Sequence, residues 1–188
     1  MDPRVAAAGR ALRAGALVVY PTDTLLGLGA RATDDRAVER LAAVKDRPAG
    51  QPISVAVSSF TDLETMAALE PSGLRFARRQ LPGPYTILAR PSAFARHTFA
   101  PAIFARNGTI GLRLPDHPVA RELARRAGPI TATSANLHGR PPARTVREAR
   151  REFGTQVAVY LSGRPRGSGR PSTLIDLAHG PPREVERS

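Results

Sequence analysis

Short β-branched runs alternate with capped, helix-length segments along almost the whole chain, and this alternation limits the fold more than any other feature. The runs are ALVVY at 16–20, ISVAV at 53–57, YTILA at 85–89, TIGLRLP at 109–115, ITAT at 130–133, VAVYL at 157–161 and STLIDL at 172–177. Between them lie helix signals. Asp2-Pro3 opens a helix that Gly15 stops, and Thr33-Asp34-Asp35 opens one with Val38, Leu41 and Ala42 on its apolar face, extended by Lys45 and ended by Pro48. Ser59 with Asp62, and Thr145 with Glu148, have the spacing of capping boxes. Ser72–Gln80 reads as helical, followed by a hard turn at Leu81-Pro82-Gly83-Pro84, and Asp116-His117-Pro118 starts a helix that Gly128 ends. Some strands follow one another directly, so the pattern predicts an α/β fold: a twisted, open mixed sheet with flanking helices. The 188 residues suit one domain, 1–188. SGRPRGSGRPS reads as a flexible loop inside it and HGPPREVERS as a loose basic tail.

Composition narrows the function classes. Cysteine is absent, which removes disulfides, thiol catalysis and Cys-ligated metals. His97, His117, His138 and His179 are scattered without ligand spacing, so no protein-held metal is expected. No apolar run approaches the ~20 residues of a membrane span, and the N-terminus lacks the pattern of a secretory signal, so a cytoplasmic protein without membrane association is expected. Lys+Arg number 28 against 16 Asp+Glu, a formal charge of +12. Such a surface attracts polyanions, although Lys45 is the only lysine and a GC-rich coding bias would also supply arginines. Aromatics at 5% argue against a base-stacking platform.

The stretch ITATSANLHG at Ile130–Gly139 passes from a β-branched run into small polar residues. A strand ending in hydroxyls and an amide resembles the ligand-binding edge of an open α/β sheet. YPTDT at Tyr20–Thr24 and RPST at Arg170–Thr173 have the same character, and these loops are expected to converge on one pocket. Lys45-Asp46-Arg47-Pro48 offers a point charge and a bidentate fork for phosphate, or else complements a helix C-terminus. Arg113 is either a carboxylate clamp at a strand end or a cation on the solvent face of an edge strand. Gly167-Ser168-Gly169 lacks the rest of a phosphate-loop signature. No general base and no Ser–His–acid triad can be argued.

YPTDTLLGLGA, KDRP, TIGLRLPDHP, TATSANLHGRPPARTV and RPSTLID occur in the order found in the YrdC-type threonylcarbamoyl-AMP synthases, and from about residue 5 to about residue 177 the chain resembles that family. The resemblance implies a YrdC-like fold with a concave basic cavity. It implies that L-threonine, bicarbonate or CO2, and ATP with Mg2+ combine to give L-threonylcarbamoyladenylate and pyrophosphate. The product would go to downstream threonylcarbamoyl transferase proteins for t6A37 modification of tRNA, with tRNA itself as a further partner. By position, Thr24, Arg113 and Ser172 match threonine contacts. Lys45 and Arg47 match the pair that neutralises nucleotide phosphates, and Thr109, Ser134 and Asn136 match polar groups around ATP. Asp23 stands where Glu is more usual, Leu25-Leu26 replaces a pair that often includes an aromatic, and the tail lacks the family's Leu-Arg-x-Gly ending, for which Arg183 or Arg187 is a candidate substitute. The competing expectations are a non-catalytic RNA-binding protein of the same fold and a paralogue acting on another small acid.

Overall fold

In the computed structural model, which describes residues 2–167 and 169–186, seven α-helices alternate with eleven short strands. In order these are α1 (Pro3–Arg13), β1 (Val18–Pro21), β2 (Leu26–Gly29), α2 (Asp35–Val44), β3 (Val55–Ala56), α3 (Phe60–Met66), β4 (Ala67–Ala68), α4 (Pro71–Gln80) and β5 (Tyr85–Pro91). There follow α5 (Ala93–Thr98), β6 (Ile110–Arg113), α6 (Pro118–Ala127), β7 (Ile130–Thr131), β8 (Thr133–Ser134), α7 (Val146–Phe153), β9 (Val159–Tyr160), β10 (Thr173–Asp176) and β11 (Arg183–Val185). The caps explain most of the helix starts. Asp2 and Asp34 accept from Arg4 N and Ala37 N, and Ser59 and Asp62 form the reciprocal capping box. Thr145 caps α7, but the Glu148 carboxylate reaches Arg144 N instead of closing a second box.

The mixed α/β class holds, with one difference from the expected single sheet. The strands form two sheets, ordered β8-β2-β1-β9 and β11-β10-β5-β6-β3-β7, with β4 added on β5. The ITAT run does not continue as one strand. Its first half, β7, pairs with β3 in the larger sheet, and its second half, β8, pairs with β2 in the smaller one. Ala132 N donates to Ser54 O and Ala135 N to Leu26 O, so this stretch stitches the two sheets together. Tyr20 reinforces the seam by donating from its hydroxyl to Thr131 O. Its ring lies so close over β2 that a Cβ on Gly27 or Gly29 would sit 2.9 Å from it. A sequence run of four residues cannot announce that its halves belong to different sheets, because the local pattern of both is extended.

The C-terminal segment is also corrected. Arg183–Val185 is no loose tail but an antiparallel partner of β10, and Asp176 at the end of β10 accepts from Ala178 N, His179 and Arg183 around the turn. Arg187 and Ser168, two residues weighed above, lie outside the described residues. The main core fills the space between the sheets and α2–α5 and α7 with buried Leu, Ile and Val, and α1 and α6 cover the other side of β1 through Val5, Leu12 and Leu123. No helix among the described residues is long and apolar enough to cross a membrane.

Candidate active site

The turn after β1 organises one wall of a cavity. Thr22 Oγ1 accepts from Thr24 N and Leu25 N at 3.0 and 3.2 Å and donates to Leu25 O at 2.7 Å. A hydroxyl stabilises its own turn in this way where the chain must reverse. The proton of Thr22 and both of its lone pairs are therefore committed, and the two hydroxyls lie 3.1 Å apart. Arg113, at the end of β6 in the other sheet, directs Nη2 at this turn, donating to Asp23 Oδ1 at 2.8 Å and to Thr24 Oγ1 at 3.2 Å. Thr24 Oγ1 thus accepts from Arg113 and keeps one lone pair for a ligand. The loop after β9 seals the turn from behind. Arg166 N donates to Thr22 O, and Gly167 crosses Asp23 so closely that a Cβ would lie 2.2 Å from its carbonyl oxygen, a crossing open only to glycine.

Arg113 is only 7% exposed. Burial lowers its pKa from the ordinary guanidinium value and Asp23 opposes that shift. An ion pair this buried holds charge that water cannot screen.

Further parts of the site come from α2 and the seam. Lys45, at the C-cap of α2, turns inward and is 3% exposed. Its Nζ donates to Ser134 O and Asn136 O, both at 2.5 Å. Burial, with Arg47 nearby, depresses its pKa to about 8. Asn136 is turned onto its own loop, with Nδ2 donating to Leu137 O and Arg140 O. Arg47 stands free of the fold by comparison. It is half-buried, and its contacts are to main-chain carbonyls, Nη2 to Pro52 O at 2.7 Å and Nε to Gln51 O at 3.4 Å.

Thr24, Arg47, Arg113, Ser134 and Ser172 line one cavity of about 250 Å³, together with Tyr20, Ser54 and Pro171. Thr109 lies in an adjoining hollow of about 450 Å³ that shares Arg47, Pro52 and Ser54 with the first, and its hydroxyl donates to Asn107 Oδ1. Lys45 and Asn136 line neither hollow. The structure puts them one layer behind Ser134, where they fix the loop that carries it. That differs from a direct place on the wall, and the reason is that the ammonium is spent on Asn136 O and on Ser134 O, which also accepts from Asn136 N. Thr22, Asp23 and Ser54 were not singled out from sequence. For Thr22 and Asp23 the available signal was their place inside YPTDT. For Ser54 there was none, since it sits within an apolar run.

Three comparisons place this geometry among known proteins. The family model described as Sua5_yciO_yrdC, Telomere recombination, matches residues 10–188. A relative from Mycobacterium tuberculosis is 39% identical over 174 residues, spanning 92% of this chain and 78% of its own. A Methylobacillus flagellatus protein named threonylcarbamoyl-AMP synthase is 37% identical over 172 residues, spanning 90% of this chain and 92% of its own. Among solved structures, Pyrococcus abyssi Sua5 complexed with L-threonine is similar at a TM-score of 0.87 and 33% identity, over 96% of this chain and 52% of that one, so this chain spans about half the length of that protein. The chain belongs to the Sua5/YciO/YrdC family.

Proposed function

We propose that this protein is a threonylcarbamoyl-AMP synthase, making L-threonylcarbamoyladenylate from L-threonine, bicarbonate or CO2, and ATP, with release of pyrophosphate, for t6A37 modification of tRNA. One observation carries the reading: a single cavity, spanning the seam between two sheets, is lined by a buried Arg113 beside Thr24 and by a separate Arg47. Relatives named for this activity, and one solved with L-threonine, support it.

In this reading the threonine carboxylate binds Arg113, and the amine donates to the remaining lone pair of Thr24. The amine nitrogen then bonds to the carbon of CO2 and loses a proton to solvent, giving a carbamate. A carbamate oxygen attacks the α-phosphorus of ATP as the bond to pyrophosphate breaks. Arg47 offsets charge on the phosphates, and Ser134, held by Lys45, completes the wall beside them. Mg2+ belongs to the nucleotide substrate and enters with it. Positioning and charge neutralisation can carry most of such a displacement, which fits a cavity of hydroxyls and cations. Downstream transferases and tRNA are partners by the same reading.

The test mixes purified protein with L-threonine, bicarbonate and MgATP and measures pyrophosphate. Threonine-dependent release is expected. Salt-sensitive retention of tRNA without any threonine-dependent release would instead identify an RNA-binding protein of this fold, and release that serine supports better than threonine would identify a paralogue with another substrate.

A further inference from the structure

The Asp23–Arg113 pair is not built the way a purely structural ion pair would be. The two groups touch through a single contact, Nη2 to Oδ1 at 2.8 Å, although a guanidinium and a carboxylate can form two parallel bonds. Asp23 Oδ2 and Arg113 Nε are both buried with no hydrogen-bond partner among the described residues. Leaving a buried donor and acceptor unpaired opposes folding, and a native structure that keeps both calls for a reason. The second bond of Nη2 supplies one. It goes to Thr24 Oγ1, the hydroxyl on the cavity wall, and not to the second oxygen of Asp23.

This division leaves Nη1 in a particular position. It bonds to no described residue, and it is not among the sealed, unsatisfied atoms, so it remains open toward the cavity that Arg113 lines. We infer that Asp23 is a positioning residue for the substrate clamp: its carboxylate anchors Nη2 of Arg113 so that the guanidinium presents Nη1 to the substrate carboxylate and holds Thr24 as a hydrogen-bond acceptor. Asp23 lines none of the cavities and acts only through Arg113 and Thr24. The loop after β9 fixes Asp23 in turn, because Gly167 lies against its carbonyl.

The inference rests on the proposed use of threonine, and the experiment separates the two. L-threonine binding is measured by calorimetric titration on wild type, Asp23→Asn, Asp23→Glu, Arg113→Gln and the double variant Asp23→Asn/Arg113→Gln. Binding of a non-hydrolysable ATP analogue is measured alongside. Asp23→Asn is expected to weaken threonine at least tenfold while changing the nucleotide less than twofold, and Asp23→Glu, which keeps the charge, to weaken threonine less. The double variant is expected to bind threonine no worse than Arg113→Gln alone. Should Asp23→Asn fail to fold, this last comparison decides, since the double variant removes both buried charges together. Threonine binding by Asp23→Asn within twofold of wild type, equal losses for both ligands, or additive losses in the double variant would overturn the inference and leave the functional proposal standing. A wild-type protein that binds no threonine would overturn both.

Discussion

Arg113 and Arg47 line the same cavity, yet the fold treats them differently. Arg113 is buried and bound to a carboxylate carried by the other sheet. Arg47 is half-buried and bonded only to main-chain carbonyls four and five residues along its own chain. The first is part of what holds the sheets together. The second is displayed by a loop. Identical side chains therefore predict different failures, and the difference tests which wall serves which ligand.

The largest effect is expected at Arg113. Arg113→Ala strands the Asp23 carboxylate in the interior, and breaking a buried pair costs about 3–5 kcal/mol. Denaturant unfolding should show that loss together with failure to saturate with threonine, and an Arg113→Ala protein as stable as wild type would erase the contrast. Lys45→Met comes next. It removes one of two donors from Ser134 O and the donor of Asn136 O, and leaving a buried acceptor unmet costs about 1–3 kcal/mol. Steady-state kinetics should show higher KM for both substrates, since Ser134 on this loop lines the cavity in which both are proposed to meet. Arg47→Ala sharpens the comparison from the other side. Its unfolding free energy should stay within about 0.5 kcal/mol of wild type, while KM for ATP rises roughly tenfold and KM for threonine holds. Tyr20→Phe, which deletes the bond across the seam to Thr131 O, should cost about 1 kcal/mol and leave both KM values near wild type.

A further effect is a pH dependence. Burial depresses the pKa of Lys45 from 10.5 to about 8. Between those values the unfolded chain binds more protons than the folded one, so stability rises with pH across that window and is lost as pH falls through about 8. The neutral amine still has two protons for its two carbonyl partners, so the loop is held in either state. The urea midpoint of wild type should therefore gain on that of Lys45→Met between pH 8 and pH 10. A gap that narrows over this range would contradict the buried position of Lys45.

Helix boundaries were legible because they are written locally. Asp34, Ser59 and Thr145 each announce a start through a side chain that reaches only two or three residues. The mixed α/β class followed from the order of such elements. The convergence of Thr24, Ser134 and Ser172 was legible in the shared character of their loops, and the place of Arg47 and Arg113 beside them only through motif resemblance, since nothing local brings residue 24 beside residue 113. What stayed hidden depends on long-range partners. ITAT reads as one strand, and the stretch serves two sheets because its partners, β2 and β3, lie some hundred and some seventy-five residues earlier. Arg183–Val185 has the charge of a tail, and it is a strand because β10 offers an open edge. Nothing in the sequence around Lys45 shows that the carbonyls of Ser134 and Asn136 come within reach of its ammonium.

The division of labour between the two walls can be seen most directly in a crystal structure of the protein with L-threonine and a non-hydrolysable ATP analogue. The account predicts both ligands together across the seam, with the threonine carboxylate on Arg113, its amine on Thr24, and the phosphates against Arg47. Threonine seated on the Arg47 wall, or the two ligands in cavities that do not meet, would contradict it.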